Sequence, residues 1–283
     1  MLNGFVQHQP RVQQPLADAP YDRWIAPGGD CAALFHRRDY GYLLRFPGQA
    51  DFEIDIAGSE IRAFPASPAK RGETETLFHN AVVPVVGNHL GALNLHGSAV
   101  RIGGRAVAFM GVSRRGKTTL AAGFAKAGFP FLTEDVLSLD QREDGYHVRP
   151  GRPVLRLFRD SAAFLRDEAS DRGNQRRKQE MAASGCLPFS DRDARLAGIF
   201  LLGPGTATRV TLRKLAPAEA MVQLMQHAFI LDVEDRKRLR RHFDRIASLS
   251  EAVQCHTLDY PRRYDLLPSI TATVIQCLGE EKP

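Results

Sequence analysis

Gly111-Val112-Ser113-Arg114-Arg115-Gly116-Lys117-Thr118 has the spacing G-x-x-x-x-G-K-[ST] of a loop that cradles phosphates. A pattern this short arises by chance, so its flanks decide the reading. Residues 105–110 (RAVAFM) are an apolar run of strand formers directly before it. Residues 119–127 (TLAAGFAKA) have helix-forming composition and stop at Gly128. Strand, glycine loop and helix in this order wrap backbone N–H groups and a helix N-terminus around the phosphates of a nucleotide. Lys117 would reach the outer phosphates, and the Thr118 hydroxyl would ligate Mg²⁺. The nucleotide-contacting set is then Gly111, Val112, Ser113, Arg114, Arg115, Gly116, Lys117, Thr118 and Thr119. The plainer alternative, a glycine turn with a solvated lysine, is disfavoured by the flanking strand and helix.

Upstream, residues 94–102 (NLHGSAVRI) read as a strand, and Gly103-Gly104 is a hairpin signal that pairs it with the strand before the loop. His96 lies fifteen residues before Gly111, and a hairpin register brings it near the phosphate end. A histidine alone on a strand is more often a structural residue. Downstream, the apolar run 129–133 (FPFLT) ends in Glu134-Asp135, sixteen residues after Thr118. That interval fits one helix, a turn and a strand. Adjacent residues of a strand point to opposite faces, which predicts separate jobs for the two acids. One would hold Mg²⁺, directly or through water, beside Thr118; the other would accept the proton of an attacking hydroxyl.

The remaining chain divides by its patterning. Residues 1–20, rich in Gln and Pro and without a period, read as a flexible tail, with order beginning near Trp24. Residues 21–85 form a β-rich portion, with strands expected over 42–46, 51–56 and 60–64, the last two joined by a turn at Ala57-Gly58-Ser59. Residues 75–93 carry apolar side chains at helical spacing, with a kink or restart at Pro84. The nucleotide domain spans 86–283. Within it, residues 156–195 are charge-dense around the basic centre 172–179, and read equally as a substrate loop or a solvated insertion. Strands are expected over 196–202 and 209–212, then a helix from Pro217 with Met221, Leu224, Met225, Ala228 and Phe229 on one face. Asp232 is a candidate cap for the next helix, in which Leu239, Phe243 and Ile246 form the buried stripe. Arg236, Lys237, Arg238, Arg240, Arg241 and Arg245 give that helix a solvated basic face or a surface for an acidic partner. A last helix carries Leu266, Leu267, Ile270, Val274 and Leu278.

The totals exclude several classes. Hydrophobic content of 43% with 25% charged residues is that of a soluble globular chain. A formal charge of +6 suits a polyanionic ligand without demanding nucleic acid. Four dispersed cysteines, no C-x-x-C pair, no signal peptide and no stretch of membrane-spanning length point to the cytoplasm. The absence of N-K-x-D disfavours a Ras-type GTPase, and the absence of L-S-G-G-Q disfavours a transporter-type ATPase.

His96-Gly97-Ser98-Ala99-Val100, the run 103–109 (GGRAVAF), the glycine loop and Leu132-Thr133-Glu134-Asp135 together resemble the catalytic domain of HPr kinase/phosphorylase. More closely, they resemble its shorter relatives found beside peptide-modification genes, including lasso-peptide clusters, as do residues 231–235 and 260–265. The resemblance implies an α/β fold: a P-loop kinase domain of the HPr kinase C-terminal type with an N-terminal antiparallel β-rich portion. It implies ATP and Mg²⁺ as cofactors and γ-phosphate transfer to a serine hydroxyl of a peptide or small protein, such as a ribosomal peptide precursor. By motif position, Lys117 binds phosphates, Thr118, Glu134 and Asp135 are the metal positions, and Asp135 acts as base with His96 nearby. Homo-oligomers occur in that family. Three departures stand out. Glu134 replaces an Asp, Arg114 and Arg115 replace small residues, and the C-terminal signature tied to phosphorolysis and to HPr is missing, so neither reversal nor HPr itself is expected. Arg114 must adopt a turn that suits glycine better, and Arg176, Arg177 and Lys178 are candidates for covering the phosphates or binding an acidic peptide. Two other readings are a nucleotide-binding regulatory protein without transfer and a kinase of a small-molecule alcohol.

Overall fold

Alternating side chains dictate the first portion of the fold. In the computed structural model, which describes residues 5–26, 28–55, 60–166 and 178–279, the chain divides into two compact units. One comprises residues 1–92 with 229–242, the other residues 93–228 with 243–283. The boundary therefore falls at Ala92 rather than at residue 85, and the segment 229–242 belongs with the N-terminal unit. A long run of sequence cannot reveal such a return, because only packing decides it.

The first unit holds strands β1 (Val6–Gln7), β2 (Asp22–Ile25), β3 (Cys31–Arg38), β4 (Gly41–Phe46), β5 (Ala50–Asp55) and β6 (Ile61–Pro65), in the spatial order β1-β6-β5-β4-β3-β2. All neighbours are antiparallel except β1, which runs parallel to β6. Phe35, Leu44, Phe52, Ile54 and Ala63 are fully buried or nearly so, as the alternation requires. Ile56 and the expected 57–59 turn lie outside the described residues. The expectation of a flexible tail is corrected over residues 5–20. Val6 pairs with Arg62, and the Gln13 side chain donates to the Asp51 carboxylate at 2.7 Å and to the Phe46 carbonyl at 3.1 Å. A Gln/Pro-rich composition hides order of this kind, since it is held by edge pairing and side-chain bonds rather than by a core.

Helical structure runs through α1 (Arg71–Leu77), a π-helical turn (Phe78–Val82) and α2 (Val83–His89). Pro84 sits at the second position of α2, directly after the π-helical turn, in a helical run that continues through it. Asp232 does not cap the following helix. It caps the turn before it, through the backbone N–H of Glu234 at 2.9 Å, and accepts Arg37 at 2.5 Å and Tyr42 at 3.1 Å. Asp235 is the cap proper, accepting the Arg238 N–H at 3.0 Å.

The second unit contains β7 (Leu93–Ile102), β8 (Arg105–Met110), α3 (Lys117–Lys126), β9 (Phe131–Thr133), β10 (Val136–Arg142), β11 (Gly145–Val148), β12 (Val154–Leu157), α4 (Arg159–Arg166), β13 (Gln179–Ala182), β14 (Ala194–Leu202), β15 (Thr211–Lys214), α5 (Pro217–Met225), β16 (Cys255–Asp259) and α7 (Leu267–Cys277); α6 (Arg236–Ala252) begins in the first unit and ends in this one. Its main sheet runs β11-β10-β7-β8-β14-β16-β15, with β9 on β7. β14 is parallel to both β8 and β16, and a register shift between Leu196 and Gly198 lets its beginning pair with β11 as well. The fold is thus mixed α/β.

One side of the sheet buries Phe109, Phe124, Phe131 and Phe200 under α3 and α7; the other buries Leu95, Ala108, Met110, Leu137, Leu224, Ile246 and Leu249. Phe243, expected in the buried stripe of α6, is 47% exposed, and Leu249 takes its place. The helix from Pro217 stops at Met225, before Ala228 and Phe229. Residues 156–195 are not a plain loop: β12 and β13 pair as a two-stranded ribbon with Arg156 opposite Glu180, and α4 follows β12. The basic centre at 172–177 lies outside the described residues. No helix among the described residues is long and apolar enough to cross a membrane. Phe124 packs its ring tilted against Phe109 and Phe129, so Phe124→Ala leaves a cavity in the layer that seats α3. It is expected to lower the unfolding free energy by about 3–5 kcal/mol in a urea titration.

Candidate active site

Three parallel strands, β8, β14 and β16, end at Met110, Leu202 and Asp259, so the segments that follow them emerge at one edge of the sheet. Crevices at the carboxyl ends of such strands are where ligands bind in α/β folds. The glycine loop follows β8. Gly111 and Gly116 have φ of 152° and 88°, and Gly116 stands at the N-cap of α3 in the left-handed region that glycine tolerates. Arg114 has φ of 67°, so the arginine does adopt the strained turn the sequence implied. A side chain on Gly111 would press on Leu202 at 3.3 Å, which fixes how closely the loop lies on β14.

Lys117 is buried and points back into its own loop, donating to the carbonyls of Gly111 at 2.8 Å and Val112 at 3.3 Å. Burial lowers its pKa to about 8, against the opposing pull of Asp135. Thr118, one position on, donates its hydroxyl to Glu134 Oε1 at 2.9 Å. Thr119 is bonded to the Ser161 hydroxyl at 2.9 Å, and Ser161 to Tyr264 at 3.1 Å, which ties α3 to α4.

The two acids do not sit on a strand, and this corrects the expectation of opposite faces. They occupy the turn between β9 and β10, where Asp135 has φ of 64° and the Val136 N–H donates to the Glu134 carbonyl at 2.8 Å. Left-handed backbone at Asp135 breaks the alternation of a strand. Both carboxylates therefore meet one ammonium: Lys178 Nζ lies 3.3 Å from Glu134 Oε1 and 3.6 Å from Asp135 Oδ1. Arg156 Nη1 adds a second cation 3.3 Å from Asp135 Oδ2. Burial would raise Asp135, but Lys178, His96 and Arg156 outweigh it and hold the carboxyl below its usual range. Glu134 is pushed up to about 8, first by burial and then by the charge of Asp135. Environment thus separates the two acids, as sites for acid–base work require.

His96 is where the hairpin register placed it. Its Nδ1 lies 2.9 Å from the Asp135 carbonyl, and its backbone N–H donates to the His227 carbonyl at 2.8 Å. A carbonyl only accepts, so Nδ1 carries the proton and Nε2 is the acceptor nitrogen. Burial, helped by the charge of Lys117, lowers the His96 pKa to about 4, and His227 is lowered to about 4 by burial and by His96.

The structure thus draws Lys117, Thr118, Glu134, Asp135 and His96 together, with Gly111, Val112, Ser113, Arg114, Arg115, Gly116 and Thr119 in the loop and first helical turn. Arg156 and His227 carry no motif and were invisible in sequence; each arrives through tertiary pairing alone. Among the described residues no group of three or more His, Cys, Asp or Glu side chains converges on a point. An all-protein metal cage is therefore not built. A hydroxyl and two carboxylates, all oxygen donors, are instead the sparse set that suits Mg²⁺, which keeps waters and takes phosphate oxygens.

No family model matches the sequence, and no curated protein matches it. Among solved structures the chain is similar to the Hpr(Ser) kinase/phosphatase from Coxiella burnetii, at 10% identity over 66% of this chain and 97% of that one, with a TM-score of 0.35. So distant a likeness does not decide activity, which rests on the residues above.

The buried histidines set a pH response. His227 has an ordinary pKa of 6.5 when unfolded and about 4 when folded, so below pH 6.5 the unfolded chain binds a proton that the folded one refuses. Stability contributed by the neutral imidazole is lost as pH falls from 6.5 to 4 and is constant above that window. Glu134, raised, acts in the opposite sense, so the comparison must be with a variant. Relative to His227→Gln, the wild type is expected to lose up to about 1.4 kcal/mol per pH unit across the window in denaturant titrations. Parallel pH profiles would contradict the burial of a neutral His227.

Proposed function

We propose that the chain is an ATP-dependent serine kinase of the HPr-kinase-like kind, acting in the cytoplasm on a peptide or small protein. The observation that carries this reading is the bond from Thr118 to Glu134, with Asp135 beside it on the same Lys178. It joins the hydroxyl of the phosphate loop to an acid at the Mg²⁺ position, and the second acid beside it can take the proton of an attacking hydroxyl. Mg²⁺, when bound, would neutralise charge on the phosphate oxygens, and Thr118, Glu134 and Asp135 would hold it. Lys117 would exchange its two carbonyl partners for the outer phosphates. The acceptor serine oxygen would form its bond to the γ-phosphorus as the bond from that phosphorus to the β,γ-bridging oxygen breaks. The proton of the serine hydroxyl would pass to the Asp135 carboxylate, which His96 positions through the Asp135 carbonyl.

A second reading, a nucleotide-binding protein without transfer, is favoured by one feature. Two cations hold Asp135 below its usual range and so reduce its basicity. Asp135→Asn separates the two. In the kinase it is expected to keep ATP affinity within a few-fold and to lose transfer from labelled ATP to serine peptides by about 10²–10⁴-fold. Intact protein that binds ATP yet labels no peptide, protein or small alcohol would leave the binding reading standing and remove the kinase.

A further inference from the structure

A pocket of about 130 Å³ lies against the glycine loop, lined by Gly111, Val112, Leu202, Gln223, Gln226 and His227 among others. Its size decides what it can take. Sites for whole drug-sized ligands span roughly 300–1,000 Å³, so this one is small. One small side chain with its peptide unit suits a pocket of this size.

Its lining has unspent hydrogen-bonding capacity. The side chains of Gln223, Gln226 and His227 make no hydrogen bond to any other described residue, although His227 is 7% exposed. Carboxamides offer both a donor and an acceptor, which matches a peptide N–H and C=O. A neutral imidazole can accept from a hydroxyl. Leu201, Leu202 and Pro204 add apolar surface, Arg115 adds the one charged side chain, and no carboxylate lines the pocket.

Its position ties it to the reacting groups. Gly111 and Val112, which form one wall, are the residues whose carbonyls hold the Lys117 ammonium. His227, also in the lining, accepts the His96 N–H through its carbonyl, and His96 in turn bonds the Asp135 carbonyl at 2.9 Å. One residue therefore separates the pocket wall from the strand that positions the candidate base.

We propose that this pocket is the acceptor subsite: it seats a serine side chain, with Gln223 and Gln226 pairing to the flanking peptide amide and His227 orienting the hydroxyl. The assignment rests on the kinase reading of the same site.

The test uses the full chain with Mg-ADP bound and N-acetyl-L-serinamide as the probe, at millimolar concentrations. The side-chain carboxamide NMR signals of Gln223 and Gln226 are expected to shift saturably with the serinamide and not with N-acetyl-L-alaninamide. Gln226→Leu, at an exposed position, and Gln223→Leu are each expected to weaken probe binding by about tenfold or more while leaving ADP affinity within twofold. No saturable shift, an equal shift with the alaninamide, or a parallel loss of ADP affinity would each overturn the subsite. Failure of the kinase reading looks different: the probe binds as described, yet no phosphate reaches it from labelled ATP.

Discussion

Everything at the site hangs on the backbone of one residue, Asp135, held at φ of 64°. A left-handed conformation costs a non-glycine residue about 1–2 kcal/mol. Local bonds offset it. Thr133 donates its hydroxyl to the Val136 carbonyl at 2.7 Å, across the turn, and His96 bonds the Asp135 carbonyl at 2.9 Å. Each is worth about 1 kcal/mol net, so the two together match the strain. The return on that strain is geometric. In a regular strand Glu134 and Asp135 would face apart; in this turn both carboxylates reach Lys178, and Glu134 also reaches Thr118. Gly151 completes the fit, since a side chain there would strike the Thr133 hydroxyl at 2.4 Å.

The sheet supplies the other half. Because β8, β14 and β16 run parallel, the glycine loop, the Gly203 turn and Tyr260 all leave the sheet at the same edge. The antiparallel partner β7 then carries His96 to that edge from the opposite direction, with Gly97 opposite Met110. Parallel strands bring the glycine loop, and the antiparallel one brings the polar residue behind the acids. Neither arrangement alone would place Lys117 and His96 close enough for the charge of one to depress the pKa of the other.

The sequence was most informative where chemistry fixes spacing. The strand, glycine loop and α3 could be read directly, since Gly111 and Gly116 stand where the backbone takes positive φ. The hairpin at Gly103-Gly104 likewise set the register that delivers His96. The conformation of Asp135 was not legible, because nothing in Thr-Glu-Asp-Val distinguishes a strand end from a tight turn until Thr133 and His96 close on it. Arg156 lies on β12 and Lys178 directly precedes β13, and their charge-dense sequence conceals a pairing that packs against α3 and α4. His227 and the glutamines of α5 lie beyond any motif. The edge pairing of Val6 escaped for a similar reason: two residues of strand carry no period.

That Thr118, Glu134 and Asp135 form the oxygen set for Mg²⁺ beside a nucleotide is most directly tested by calorimetric titration of ADP with Mg²⁺ and with a chelator present. Affinity is expected to be about tenfold or more higher with Mg²⁺, and Glu134→Gln is expected to shrink that difference. Equal affinity under both conditions would contradict the assignment.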